Sequence, residues 1–95
     1  MRALDYANPQ HVFDPNTTSS GMYTLNYTAT ENGMLITNKY NSNSSCYIKI
    51  NNNKVHTGYS NYDTTQLFLT LPISKGDIIE IEMYNTDKIT IYNYL

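Results

Sequence analysis

The chain has 95 residues and a formal net charge of -2, and its six basic residues are scattered along the sequence. A chain of this length fits one compact domain and leaves little room for a second. Scattered basic residues exclude nucleic acid and anionic membranes as the main partners, because both require a concentrated basic surface. No apolar run is long enough to insert into a membrane.

The composition favours strands over helices. Charged residues make up 15% of the chain, against about 25% in ordinary globular proteins. The chain holds ten Tyr and no Trp, and Asn, Ser and Thr are abundant. Tyr and Thr favour strands, whereas Asn and Ser favour turns. An all-β domain is therefore expected.

Along the chain, short segments of alternating polar and apolar residues are separated by turn residues. This period of two is typical of half-buried strands, and no helical period competes with it. We predict eight strands, near residues 10–13, 22–28, 34–37, 46–50, 54–56, 66–71, 78–84 and 88–94. Residues 38–45 form the most polar segment and are predicted to be a loop.

Three short polar segments between these strands are predicted turns. Glu31-Asn32-Gly33 contains Asn-Gly, the strongest short hairpin signal. Asn51-Asn52-Asn53 tolerates positive φ and predicts a tight hairpin. Lys75-Gly76-Asp77 is also predicted to be a turn. A phosphate-binding loop would need a longer Gly-rich stretch leading into a helix, and a strand follows here instead.

The alternation also predicts which residues face the core. The predicted inward residues are Cys46, Ile48, Ile50, Leu67, Leu69, Leu71, Ile79, Ile81 and Met83. Glu80 and Glu82 are predicted to lie outward, as a solvated pair. About eight short antiparallel strands with frequent turns predict one all-β domain over residues 1–95, a jelly-roll β-sandwich.

The sequence offers little for catalysis or cofactor binding. Cys46 and His56 are the only sequence-near nucleophile and base, but Cys46 continues an inward-facing set and is expected to act as a small apolar residue. His11 and His56 lack further ligands at metal-binding spacing, and the loop of Asp63 lacks an EF-hand pattern. We therefore predict no enzyme, no metal and no cofactor.

Tyrosines and asparagines concentrate in the polar loops. Such a mixture gives a large contact area with adaptable hydrogen bonding, as in binding loops. The candidate ligand-binding residues are Tyr40, Asn41, Asn43, Tyr47, Tyr59, Asn61 and Tyr62. The alternative is that these tyrosines fill strand surfaces or subunit contacts.

Three strings carry a resemblance: YTLNYTATENGMLI (Tyr23–Ile36), CYIKINNNKV (Cys46–Val55) and LFLTLPISKGDIIEI (Leu67–Ile81). Together with the opening LDYANPQHVF, they resemble small C1q/TNF-like jelly-roll domains at the C-terminal ends of phage tail or fibre proteins. The chain departs from the pattern at Asn52-Asn53, where Asn-Gly is usual; Asn tolerates the same backbone region.

The resemblance implies a non-enzymatic homotrimer that is made in the bacterial cytoplasm and built into a virion fibre. Its loops would contact a host-surface glycan or protein. We predict that Tyr84, Tyr92 and Tyr94 contribute to the subunit interface. A purely architectural fibre-end, head-fibre or trimerisation domain is the alternative, and a small carbohydrate-active enzyme is the least favoured hypothesis.

Overall fold

A computed structural model describes residues 3–17, 21–58 and 65–95, and every strand within them pairs antiparallel. The strands in this part of the chain are β1 (Leu4–Phe13), β2 (Met22–Thr28), β3 (Gly33–Lys39), β4 (Asn41–Ser42), β5 (Tyr47–Ile50), β6 (Asn53–Thr57), β7 (Thr65–Gln66), β8 (Thr70–Ile73), β9 (Ile78–Tyr84) and β10 (Lys88–Tyr94). The predicted all-β class is confirmed.

Two four-stranded sheets form the sandwich, in the orders β1-β10-β3-β8 and β2-β9-β5-β6. The short strands β4 and β7 pair only with each other. The chain therefore changes sheet between β1 and β2 and again between β2 and β3. The last two strands take inner positions, β9 in the second sheet and β10 in the first. This is the strand order of a jelly roll, in agreement with the predicted fold.

The core lies between the two inner faces and follows the predicted alternation. In β9, Ile79, Ile81 and Met83 are fully buried, while Glu80 and Glu82 lie on the outer side. The opposite sheet supplies buried residues from β3 and β10. The buried apolar residues of the described chain are Phe13, Ala29, Leu35, Tyr40, Cys46, Ile48, Ile73, Ile79, Ile81, Met83, Ile89 and Ile91.

Two of the predicted turns are confirmed. Asn51 and Asn52 have φ values of 52° and 66°, and they join β5 to β6 as a two-residue hairpin. Gly76 has a φ of 91°. The Asp77 carboxylate accepts a hydrogen bond of 2.8 Å from the Ser74 amide and so closes the Lys75-Gly76-Asp77 turn.

The predicted hairpin at Glu31-Asn32-Gly33 is wrong, because β2 and β3 belong to different sheets. The Asn32 side chain instead accepts a hydrogen bond of 2.8 Å from the Lys75 amide. Gly33 is needed for a close approach: a Cβ there would lie 2.0 Å from the carbonyl oxygen of Tyr92. The Asn-Gly pair thus serves a crossing between sheets, which local sequence does not distinguish from a hairpin.

Other predicted boundaries also change. The first strand begins at Leu4, and the predicted strand 66–71 divides into β7 and β8. The predicted loop 38–45 contains β4. Pro9 lies within β1 and Pro72 within β8, which are the two edge strands of one sheet. Edge strands tolerate proline because its missing N–H need not join a ladder.

Candidate functional site

The predicted ligand-binding residues do not form one surface. Tyr59, Asn61 and Tyr62 lie outside the described residues. Tyr40 is fully buried, so its prediction as a surface contact is wrong. The Leu67 amide donates a hydrogen bond of 2.9 Å to the Tyr40 carbonyl, and this bond holds the segment against the sandwich.

Asn41 and Asn43 are engaged within the fold. The Asn41 side-chain amide donates a hydrogen bond of 2.9 Å to the carboxylate of Asp87, which is only 1% exposed. The Asn43 side chain donates to the Tyr84 hydroxyl and accepts a hydrogen bond of 2.9 Å from the Ser45 amide. Both asparagines therefore organise the loop end of the sandwich.

A buried polar cluster surrounds Tyr40 at this end. Burial raises the pKa of Tyr40 far above its ordinary value, and the neighbouring Cys46 and Asp87 raise it further. The nearby Ser42 hydroxyl opposes this rise. The buried Tyr40 hydroxyl makes no hydrogen bond to the described residues. Ser42 instead pairs with the His56 ring at 2.9 Å.

The cluster does not provide an activated nucleophile. The Cys46 thiol is fully buried and donates to the Asn41 carbonyl at 3.4 Å. Burial raises the pKa of Cys46, which favours the unreactive thiol over the thiolate. Burial also lowers the pKa of His56, whose Nε2 is already paired with Ser42. Cys46 is thus buried in the core, as its inward-facing position predicts.

The predicted interface tyrosines divide between the two sheets. Tyr92 and Tyr94 belong to β10, whereas Tyr84 belongs to β9 in the opposite sheet. Tyr84 reaches the Asn43 side chain at the loop end. A single flat interface through either sheet therefore contains at most two of the three residues.

Tyr92 belongs to an outer sheet surface that we call the uncharged face. Residues directly opposite each other on paired strands share a face, and the pairings of β1, β10, β3 and β8 place eight residues in two rows. The rows are Val12-Thr90-Ile36-Thr70 and Pro9-Tyr92-Met34-Pro72. None of the eight carries a charge.

Two exposed aromatic residues extend the uncharged face. Tyr6 is 65% exposed and packs edge-on against Tyr92, with ring centroids 5.0 Å apart. Phe68 is 77% exposed and precedes β8. Alternation places Phe68 on the same side as Thr70 and Pro72, because Leu67, Leu69 and Leu71 pack against the core.

The outer surface of the second sheet, which we call the charged face, also consists of two rows. These are Thr57-Tyr47-Glu82-Thr24 and Lys54-Lys49-Glu80-Asn26, across β6, β5, β9 and β2. Four of these eight residues are ionisable as Lys or Glu. The outward orientation of Glu80 and Glu82 is confirmed, but their side chains are partnered rather than merely solvated.

Tyr47 connects the charges of this face. Its hydroxyl donates a hydrogen bond of 2.6 Å to Glu80 Oε2, and Lys49 Nζ lies 3.6 Å from the same oxygen. The Tyr47 hydrogen bond lowers the pKa of Glu80, and Lys49 lowers it further. The ammonium groups of Lys49 and Lys54 lie 4.8 and 5.6 Å from the centroid of the Tyr47 ring.

An open cavity of about 410 Å³ lies beside this network. Its lining consists of Lys49, Asn51, Asn52, Ile78 and Glu80. Sequence reasoning did not identify these five residues as a site, because they come from a turn and two strands whose pairing is non-local. The outward position of Glu80 follows from the sequence alternation, but the register that places it opposite Lys49 does not.

Within the described residues, no three His, Cys, Asp or Glu side chains are grouped so that they could hold a metal ion. The described part of the chain also contains no helix long and apolar enough to span a membrane. Comparisons of the chain with models of protein families, with curated proteins and with solved structures gave no match.

Proposed function

We propose that this chain is a non-enzymatic structural module of a phage fibre, which assembles as a homotrimer and presents its remaining surface to a host-surface glycan or protein. The uncharged face would form the subunit contacts. The observation that carries this proposal is an outer sheet surface with two full rows of uncharged residues and two protruding aromatic side chains.

Burial of apolar area supplies the driving force for such an assembly. Large contiguous apolar patches are rare on monomeric proteins and often mark interaction sites. Transfer from water contributes roughly 25 cal/mol per Å² of apolar area. Charged residues are typically depleted at the centre of interfaces, whereas Tyr, Phe and Met are enriched. Tyr92, Met34, Tyr6 and Phe68 match that composition.

A second copy suits this face because the face needs no charged complement. Two uncharged, mainly apolar surfaces can pack without leaving a desolvated ion. The trimeric stoichiometry itself comes from the resemblance of the three strings to phage jelly-roll domains. Trimerisation would also help a small domain, whose own core supplies limited stability.

The purely architectural alternative has a specific observation in its favour. Of the predicted loop ligand residues that the structure describes, Tyr40 is buried, while Asn41 and Asn43 are hydrogen-bonded internally. These contacts reduce the support for ligand binding through that loop. Tyr47 is the exception, because it is part of the charged face beside the open cavity.

Sedimentation equilibrium of two matched double variants tests the assembly. Val12→Lys with Thr70→Lys places two ammonium groups on exposed positions at opposite edges of the uncharged face. Asn26→Lys with Thr28→Lys adds the same charge on exposed positions of β2, in the other sheet. All four positions are exposed, so both variants should fold.

We expect the unmodified protein and the β2 variant to sediment at three times the chain mass of 10.9 kDa. The variant of the uncharged face should sediment with the mass of one chain. A monomeric unmodified protein across all concentrations would overturn the proposed assembly. Equal masses for both variants would overturn the assignment of the interface to the uncharged face.

A further inference from the structure

We propose that the open cavity on the charged face binds a neutral saccharide unit, with Glu80 and Lys49 holding neighbouring hydroxyls and Ile78 contacting the apolar face of the sugar ring. This proposal goes beyond the fibre role by naming a site and a ligand class. It depends on the proposed function only for its biological setting, because binding can be measured on the protein in any oligomeric state.

The polar groups of the cavity are already held in place. Glu80 Oε2 is fixed by the Tyr47 hydroxyl at 2.6 Å and by Lys49 at 3.6 Å. No contact within the described residues uses Glu80 Oε1, so this oxygen is free to accept from a ligand. A carboxylate held in this way loses little freedom on binding, and preorganisation favours affinity.

The Asn51-Asn52 turn forms another wall of the cavity. The Asn51 side chain donates a hydrogen bond of 2.9 Å to Asp77 and accepts one of 2.9 Å from the Ile78 amide, so both its nitrogen and its oxygen are held within the fold. Asn52 makes no side-chain hydrogen bond in the described structure, and its amide offers both donors and an acceptor. The turn therefore contributes one rigid and one available side chain.

The chemistry of the lining favours hydroxyl groups over ions. Glu80 accepts hydrogen bonds, Lys49 donates them, and their closeness suits two adjacent hydroxyls, each of which can do both. Glu80 and Lys49 carry opposite charges 3.6 Å apart, so together they give little net attraction to an anionic or a cationic ligand. Ile78 is 58% exposed and provides an apolar surface for the C–H groups of a sugar ring.

The position of the cavity disfavours an extended peptide. A peptide that adds a strand needs an unpaired sheet edge. The lining residues of β5 and β9 lie on strands that are paired on both sides. A ligand must therefore be recognised by side chains alone. The volume of about 410 Å³ lies at the small end of the range for small-molecule sites, roughly 300–1,000 Å³.

Titration of the intact ¹⁵N-labelled protein tests this site by NMR. The probes are the methyl glycosides of glucose, galactose and mannose, and N-acetylglucosamine, each raised to about 50 mM so that a millimolar Kd approaches saturation. We expect at least one probe to shift the amide signals of Asn52, Ile78 and Glu80. The absence of such shifts with all four probes would overturn the proposal, as would equal shifts with inorganic phosphate.

A matched pair of variants assigns the binding to the cavity. Glu80→Gln should weaken the best probe about tenfold, because a charged acceptor and its fixed partners are lost. Glu82→Gln changes the same charge on the same strand face but outside the cavity, and should leave Kd within about twofold. Equal weakening by both variants would show a general charge effect and contradict the site.

Sedimentation of the same samples separates this proposal from the proposed fibre assembly. Saccharide binding by a monomer would reject the trimer and keep the site. A trimer that binds none of the probes would reject the site and leave the assembly in place.

Discussion

The two sheets bury similar residues on their inner faces but expose different residues on their outer faces. Inside, Leu35 and Ile91 of one sheet and Ile48 and Ile81 of the other are all fully buried. Outside, one sheet presents two rows without a charge, and the other presents four Lys and Glu side chains in two equivalent rows. The sandwich is thus symmetric in its core and asymmetric in its surface.

This difference shows that the fold constrains the inward-facing residues of each strand more tightly than the outward-facing ones. Alternation assigns every second residue to the core, where the fold requires apolar side chains. The residues between them are less constrained by folding, so their chemistry can serve partners. An apolar inner row is explained by the core. An apolar outer row is not, and it therefore points to a candidate contact surface.

The largest expected effect comes from breaking the sheet that carries the uncharged face. Gly33→Ala places a Cβ 2.0 Å from the Tyr92 carbonyl oxygen, so β3 and β10 must separate. We expect a loss of at least about 3 kcal/mol in the free energy of unfolding, measured with urea at fixed protein concentration. Gly76→Ala is the control, because a Cβ there meets no atom within 4 Å and only the positive φ of 91° is strained. It should cost roughly 1–2 kcal/mol.

A reciprocal exchange between the outer faces tests the comparison directly. Ile36→Asn puts an amide into the middle of the uncharged face and should destabilise the protein by roughly 1–3 kcal/mol, because this half-buried side chain loses apolar contacts. Asn26→Ile makes the opposite change at an exposed position of the charged face and should stay within about 0.5 kcal/mol. Similar urea midpoints for the two variants would argue that the two faces are energetically equivalent.

The pH dependence of stability tests whether the two sheets surround their histidines in similar ways. His11 lies in β1 and His56 in β6, one in each sheet, and burial lowers the pKa of both below 6.5. Their native states favour the neutral ring, so this stability is present above pH 6.5 and is lost as the pH falls through the lowered values. We expect urea midpoints to decrease from pH 7.5 towards pH 5, a range set by the unperturbed histidine pKa of about 6.5.

One variant separates the contribution of His11 from the rest of this pH dependence. His11→Phe should keep the stacking on Tyr27, whose ring centroid lies 4.0 Å away, and reduce the acid loss. Asp87 acts in the opposite sense, because burial raises its pKa above 3.8 and ionisation therefore opposes folding. Its stabilising contribution is present at low pH and is lost as the pH rises through the raised value. An unchanged acid loss in His11→Phe would exclude His11 as its source.

The smallest expected effect concerns the contacts among Tyr47, Glu80 and Lys49 on the charged face. Tyr47→Phe removes the hydrogen bond that lowers the pKa of Glu80, so that pKa should rise towards its ordinary value. Side-chain ¹³C NMR titration of Glu80 in the unmodified protein and in Tyr47→Phe measures this change. A Glu80 pKa that does not move would mean that Lys49, rather than Tyr47, sets its charge.

Local patterns predicted the fold well because alternation and turn chemistry are local properties. The inward set of β9 and the positive φ values of Asn51, Asn52 and Gly76 follow from the residue types themselves. The Asn-Gly signal at Asn32 failed because a crossing between sheets and a hairpin use the same residues. The choice between them depends on which strands pair, and strand pairing is non-local.

The candidate sites were harder to predict because they depend on register. Tyr40 lies in a polar loop by sequence, yet its side chain is buried between segments distant in the chain. Lys49 and Glu80 become neighbours only when β5 pairs with β9 in one particular register. The two rows of the uncharged face likewise require the pairing of four strands. No window of consecutive residues contains that information.

Pro9 and Pro72 limit strand addition to the sheet that carries the uncharged face. They lie in its two outermost strands, where each removes a backbone donor that a neighbouring sheet would need. Strand addition is thereby disfavoured at both edges of the sheet. In the proposed assembly, copies of the chain would then meet through the uncharged face rather than through the sheet edges.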